Sequence, residues 1–490
     1  MRAAHPIHLR RYAGLFCAAA VLLIPAASWS VEKPPPPGPS SQIRFPLVSE
    51  ARLDNGLRVE VAPRHEVPLV AAVLLIPGGS SADPNSRPGV AQMTADLLTQ
   101  GTQRLSAQQM ARAIDDLGAS LDASAGWDSV TVSVSATAPQ FPKSMALMAE
   151  SVLSPAFRPE ELERRRTRAL SDLQATYSDP DSLASLVLAR VMYGAQPYGH
   201  PAAGTPASVR AITRDDLVSY HTTRFIPQGA TLVLGGDITP KAGIALASRL
   251  FGGWKGQGAG PALPDDVTAS KAPQARVVVI DKPDAGRAAI ALGRPVVARR
   301  DPLFYSGILA NEVLTGYSGR LNWEIRVKRG LSYGAGSGLD ARRLPGPFLA
   351  STMVENAKAP EGVQVMLQTV QSLGKQPVPA TELTPRRERI LGRYARRFEE
   401  TGSLVATLAG QALYGLPTSE VMQYRQRLLS VTAEQVQRFA ETYLSGGMEV
   451  VVVGDASKFL PALKQAHPDL EVIKDADLDL GSPGLTKGGD

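Results

Sequence analysis

The stretch Thr231-Leu-Val-Leu-Gly-Gly-Asp237 decides the fold, because it is written again as Glu449-Val-Val-Val-Val-Gly-Asp455, displaced by 218 residues. Each copy is a short apolar run closed by glycine and a turn residue, the pattern of a strand buried in a sheet. Two more segments recur around it. Ile212-Thr-Arg-Asp-Asp-Leu217 is echoed by Val431-Thr-Ala-Glu-Gln-Val436 at a displacement of 219. Glu161-Leu162, Arg165, Arg168 and Leu170 are echoed by Glu382-Leu383, Arg386, Arg389 and Leu391 at 221. Three echoes in one order at nearly one displacement point to a duplicated domain. The period is far longer than the ~20–50 residues of a solenoid repeat.

Within each half, strands come first, helices fill the middle and a strand closes the unit. Arg58–Val61 and Leu69–Ile76 are rich in β-formers, and Ser129–Ser135 alternates with period two, as a half-buried strand does. Ser106 is placed to cap a helix over Ala107–Leu117, with Gly118 as its stop. Pro159–Thr176, Ser182–Met192 and Arg214–Thr222 read as further helices. The fold class expected is therefore α+β: two tandem homologous αβ sandwich domains, each an antiparallel sheet covered by helices on one face. The halves run over residues 45–254 and 273–475, joined by a Gly/Pro-rich linker at 255–272 and followed by a flexible tail at 476–490. Arg164-Arg165-Arg166 sits among Glu160, Glu161 and Glu163 and reads as a solvated helix face.

Composition excludes several function classes. The 490 residues are 44% hydrophobic and 20% charged, which rules out a disordered polymer, a collagen-like fibre and a coiled coil. A single cysteine excludes a disulfide framework and a Cys-ligated zinc or iron–sulfur site. The net charge of +6 owes three of its arginines to the first thirty residues. Beyond them, 49 basic residues face 46 acidic ones, a balance that offers nothing to nucleic acid.

That first segment reads as an address. Arg10-Arg11 precede an uncharged apolar run from Ala13 to Ala27, followed by Ser28-Trp29-Ser30. The run is short of the ~20 apolar residues of a membrane helix and contains Pro25, so residues 1–30 are expected to be a cleaved secretory signal rather than an anchor. Pro34-Pro-Pro-Pro37 then forms a stiff spacer within 31–44. A soluble, exported chain is expected, cysteine-free once the signal is removed.

A survey for catalytic groups finds little. Histidines 65, 200, 221 and 467 remain after the signal, and no two have the i, i+4 spacing that places paired imidazoles on one helix face. There is no Gly-x-Ser-x-Gly elbow and no phosphate-cradling Gly-x-x-x-x-Gly-Lys loop.

The segment Arg87-Pro-Gly-Val-Ala-Gln-Met-Thr-Ala-Asp-Leu-Leu-Thr-Gln-Gly-Thr102 nevertheless resembles the signature of the insulinase (pitrilysin-type) zinc metallopeptidases. The likeness continues through Asp179-Pro-Asp181, Tyr198-Gly-His-Pro-Ala-Ala-Gly-Thr205 and Phe225-Ile-Pro227. It resumes at Ser318-Gly-Arg-Leu-Asn-Trp-Glu-Ile-Arg-Val-Lys-Arg-Gly-Leu-Ser-Tyr333, its most specific piece. The resemblance implies an inverted His-x-x-Glu-His motif, which this chain lacks. Gln92 stands at the first zinc-binding His, Ala95 at the catalytic Glu, Asp96 at the second His and Asp172 at the distal Glu ligand. Positions 92 and 96 still share a helix face, but a catalytic zinc needs three protein ligands and a water, and Ala95 can take no proton. Binding of a hard cation by Asp96 and Asp172 is disfavoured by the small ligand count. No metal and no catalytic group are expected in this chain.

The second half keeps Arg326 and Tyr333, which match the pair that active relatives direct at bound substrate. The resemblance thus implies a half-shell that closes on a zinc-bearing homologue around an extended peptide, with zinc in the partner and Arg326 and Tyr333 acting in trans. A sheet edge could also hold the peptide by strand addition, Val130–Val134 being the edge expected. The alternatives are an envelope scaffold or peptide-binding protein with no role in proteolysis and, against the missing ligands, a self-sufficient peptidase. A periplasmic location is expected.

Overall fold

Six strands of the first half form one sheet: β1 (Ser49–Arg52), β2 (Arg58–Pro63), β3 (Leu69–Pro77), β4 (Ser120–Ala125), β5 (Ser129–Thr137) and β6 (Thr231–Gly236), in the order β1-β2-β6-β3-β5-β4. The second half repeats this with β7 (Val277–Asp281), β8 (Ala288–Pro295), β9 (Ala335–Leu339), β10 (Pro347–Val354), β11 (Glu449–Gly454) and β12 (Glu471–Lys474), ordered β12-β7-β11-β8-β10-β9. The inner order is the same in both sheets. Only the outermost strand differs: β1 pairs antiparallel with β2, whereas β12 arrives from the C-terminal side and runs parallel to β7. These elements come from a computed structural model that describes residues 45–256 and 275–487. The signal-like segment, the Pro-rich spacer and nearly all of the expected linker lie outside the described residues.

The α+β class and the tandem halves stand, and two details of the expectation are corrected. The sheets are mixed, because the closing strands β6 and β11 pair parallel with β2 and β7 while pairing antiparallel with β3 and β8. A strand that returns after a long helical excursion can enter beside the first strand in the same direction, which a hairpin cannot. Nor is only one face of each sheet covered. Along β3, Val70, Ala72, Leu74 and Ile76 face the half's own helices, while Ala71, Val73 and Leu75 meet Leu404, Val405 and Leu408 of the Thr401–Leu413 helix from the other half. Reciprocally, Leu183, Val187 and Leu188 of the Pro180–Tyr193 helix pack on Val278, Ile280, Val451 and Val453. Each half lends a helix to the far face of the other's sheet. That exchange is why Leu69–Ile76 and Val450–Val453 read as unbroken apolar runs: strands buried on both faces do not alternate. By contrast Val130, Val132 and Val134 of β5 point to the core and the intervening Ser and Thr residues are more open, so its alternation is kept.

Glu60 is the misfit on the lent-helix side of β2. It is 1% exposed, and neither carboxylate oxygen has a hydrogen-bond partner, although the Arg58 guanidinium lies 3.0 Å from Oε1. Burial pushes its pKa up to about 7 against the pull of Arg58, with Glu50 adding to the rise. A folded-state pKa above the unfolded one means that stability is fully present below the unfolded value and lost as pH rises through about 7. Relative to Glu60→Gln, the natural chain should lose about 3 kcal/mol between acidic and mildly alkaline pH. Parallel denaturation profiles of the two proteins would refute this.

The expected tail is also corrected up to residue 487. Leu480 and Leu485 are buried against the second sheet's far face, and Arg190 holds the Leu480 carbonyl through Nε at 3.1 Å. Two apolar anchors and a guanidinium clamp fix this stretch. Among the described residues, no helix is long and apolar enough to cross a membrane.

Candidate functional site

The motif positions lie on the Val90–Leu98 helix. Its N-terminus is held by Asp83, whose carboxylate accepts the amide hydrogens of Gly89 at 2.6 Å and Ala91 at 2.9 Å. Gly89 is required there: its φ is +95°, and a Cβ would meet the Ala203 carbonyl oxygen at 2.9 Å. The Tyr198–Thr205 segment packs beneath. His200 is buried between the carbonyls of Ser80 and Pro201, and Tyr198 donates to Asp128 Oδ1, whose other oxygen accepts the amide of Arg343 in the second half. His221 bonds the Val152 carbonyl and burial lowers its pKa, so both histidines are structural.

Three of the four motif positions are linked in space. Gln92 donates through Nε2 to Asp96 Oδ1 at 2.9 Å. Arg165, from the Pro159–Ser178 helix, places Nε 2.5 Å from Asp96 Oδ2 and its terminal nitrogen 3.6 Å from Asp172 Oδ2. Ala95 is fully buried and contributes only a methyl group to the core. Zinc does not fit this arrangement. Both oxygens of Asp96 are engaged, the amide of Gln92 is turned to donate, and a guanidinium stands between the two carboxylates. Among the described residues no three His, Cys, Asp or Glu side chains are grouped to hold a metal.

The reading of the arginine run as a solvated face is corrected at Arg165 and Arg166, which make inward ties, and stands at Arg164, whose side chain is 67% exposed. Arg166 reaches the carbonyls of Val209, Arg210 and Ile212, Arg164 pairs with Glu161, and Arg165 belongs to the motif cluster. The acidic neighbours do not distinguish an exposed charged face from one clamped against another segment, and the missing signal was tertiary.

In the second half Arg326 lies on a π-helical turn, Trp323–Lys328, that follows the short Arg320–Asn322 helix. Such turns are rare and are frequent at functional sites. The guanidinium lies 4.6 Å from the ring centre of Tyr333 and 5.3 Å from that of Tyr317, within cation–π range of both. Tyr333 is 82% exposed and Tyr317 77%, so neither is a core aromatic. Arg326 forms no ion pair among the described residues, whereas its neighbours Lys328 and Arg329 are paired with Glu324. Tyr317 is a member that sequence reasoning missed; its stretch, Thr315–Gly319, reads only as a short glycine loop. That loop is built by the Ala380–Arg397 helix: Arg386 bonds Ser318 and Arg320 makes a two-pronged bridge to Glu382, while Asn322 holds the Tyr317 carbonyl at 2.7 Å. A cavity of about 490 Å³ opens beside it, lined in part by Trp323, Glu324, Gln368 and Glu382.

The expected edge is corrected. β5, which contains Val130–Val134, lies between β3 and β4 with both ladders formed; the edge strand on that side is β4, as β9 is in the second sheet, with β1 and β12 at the opposite edges. Alternation marks a half-buried face, not a free edge.

Two halves of one topology, with a degenerate helix site in the first and an exposed Arg/Tyr cluster in the second, define a tandem-domain peptidase homologue. Residues 58–206 match the family described as insulinase (peptidase family M16), and residues 211–389 match the peptidase M16 inactive domain. The chain belongs to peptidase family M16. It is 25% identical over 405 residues to an uncharacterized zinc protease of Mycobacterium tuberculosis, covering 82% of this chain and 92% of that protein. It is 24% identical over 381 residues to the non-peptidase homolog YmxG of Helicobacter pylori, covering 77% and 84%. Among solved structures, a peptidase M16 inactive domain from Pseudomonas fluorescens superposes with a TM-score of 0.78 at 25% identity, over 83% of this chain and 98% of that one. A protease from Helicobacter pylori superposes at 0.76 with 20% identity, covering 84% and 100%, and supports the fold alone.

Proposed function

We propose that this chain is the non-catalytic subunit of an exported heterodimeric zinc peptidase, in which it helps to bind extended peptide substrates. The partner is a homologue that bears zinc; this chain contributes no metal and no general base. The observation that carries the reading is the Arg326 cluster. A guanidinium set between two exposed phenols, unpaired with any described carboxylate, is a donor fork held ready for carbonyl or carboxylate oxygens outside the chain. The substituted motif and the likeness to a named non-peptidase homologue agree with it. Residues 1–30 serve as the signal and the working location is the periplasm.

The test is purification of the native complex through a tag on this chain. A stoichiometric zinc-bearing homologue, with this chain beginning near residue 31 by intact mass, is the expected result. Recovery of this chain alone, or of an unrelated envelope assembly without peptidase activity, would overturn the reading in favour of a scaffold. Retention of Met1 in a membrane fraction would overturn the export claim.

A further inference from the structure

The two halves carry the same electrostatic tie between corresponding helices. In the second half, Glu312 of the Phe304–Leu314 helix is 3% exposed and is gripped from the Ala380–Arg397 helix by Arg389 and Arg393, each at 2.5 Å. In the first half, Asp96 of the Val90–Leu98 helix is gripped by Arg165 at 2.5 Å, and the same guanidinium reaches Asp172. The displacement of 221 that aligns the long helices puts Arg168 against Arg389 and Asp172 against Arg393. A carboxylate on the first helix thus meets arginine from the long helix in both halves, though the arginine has moved along the helix. In the first half alone, this tie crosses positions 96 and 172, which the resemblance makes part of the metal motif.

We propose that Arg165 is the resident cation of the first-half site. Its guanidinium takes the place of the divalent ion: it neutralises Asp96 and Asp172, joins the two helices and bars a metal from the position whatever side chains stand at 92 and 96. Two features favour a built pair over a chance surface contact. The side chains of Arg165 and Asp96 are only 23% and 18% exposed, so the pair is largely withdrawn from the screening that makes surface ion pairs weak. Gln92 donates to the other oxygen of Asp96, so both oxygens of the carboxylate are engaged. A metal entering here would have to break a charge-assisted hydrogen bond and then sit beside an unneutralised guanidinium. This inference concerns the first half only and stands whether or not a partner subunit exists.

Two versions of the chain lacking residues 1–30 separate the possibilities. One carries Gln92→His, Asp96→His and Asp172→Glu with Arg165 retained; the other adds Arg165→Gln. Zinc is titrated against a chromophoric chelator, and thermal unfolding of each protein is recorded alongside. Removal of Arg165 should tighten zinc binding by ~100-fold, the upper end of what groups around a metal's ligands control. Equal affinity in the two proteins would overturn the proposal. Should the ligand-restored proteins not fold, a cycle of Asp96→Asn and Arg165→Gln in the natural background decides. Each single substitution should lower the folding equilibrium constant more than the pair does relative to its sum, with coupling of ~10-fold or more. Additive effects would overturn the proposal by themselves.

Discussion

Purified alone and freed of loosely held ions, the chain should retain well under one equivalent of zinc and leave extended peptides uncut. Four positions act together here. By the resemblance, Gln92 and Asp96 stand where imidazoles are expected, Asp172 where a longer distal carboxylate is expected, and Ala95 offers no base. Catalysis by a zinc-bound water needs the metal to lower the water's pKa to ~7 and a neighbouring group to move its proton. Position 95 also offers no site for a base in this chain, since its methyl group is fully buried in the core. The expected loss is therefore complete rather than partial, and residual activity that persists with chelator would mark a contaminant. One equivalent of zinc by metal analysis, with hydrolysis abolished by chelator and restored by the metal, would defeat the non-catalytic reading.

How much of this was legible beforehand depended on whether the information was local. The capping box at Ser106 is local, and the helix it starts was found to within a residue: Ser106 accepts from the Gln109 amide while the Gln109 side chain takes the Ser106 amide. The duplication was legible because Thr231–Asp237 and Glu449–Asp455 occupy equivalent central strands under equal burial from both sides. The helix exchange was not. The runs Leu69–Ile76 and Val450–Val453 are those of strands buried on both faces, yet cover on one face was expected, because nothing in them names a helix that supplies the second layer. The residues at 92, 95, 96 and 172 could be compared with the motif by resemblance, whereas the guanidinium that lies between Asp96 and Asp172 could not be foreseen. Arg165 lies 69 residues from Asp96, in a charged run whose composition fits a surface equally well. Tyr317 was hidden for a similar reason: its place beside Arg326 depends on a loop shaped by Arg386, which is far away in sequence.

Substitution at the Arg326 cluster should divide three roles that otherwise look alike. In the proposed complex with a zinc-bearing homologue, Tyr333→Phe removes one hydroxyl from a side chain that is 82% exposed, so folding and pairing should hardly change. If that hydroxyl faces the developing oxyanion, turnover should fall by ~10²–10³, the usual result of deleting one such donor. Arg326→Ala acts differently. The guanidinium fork can engage peptide oxygens in the ground state as well as in the transition state, so the main effect should be weaker binding, seen as a raised KM. Tyr317→Phe provides the internal control: it keeps the ring beside the guanidinium, 5.3 Å from its centre, and should leave both constants nearly unaltered. A scaffold predicts no kinetic change in any of the three at equal complex stability. A purely structural role for the cluster predicts joint loss of stability and activity in Arg326→Ala alone, since the cation–π contacts at 4.6 and 5.3 Å, which both Phe variants keep, would then be holding the π-helical turn. Thermal unfolding of the same reconstituted complexes tells these outcomes apart. Unchanged turnover and KM in well-folded Tyr333→Phe and Arg326→Ala complexes would eliminate action in trans and leave the scaffold reading.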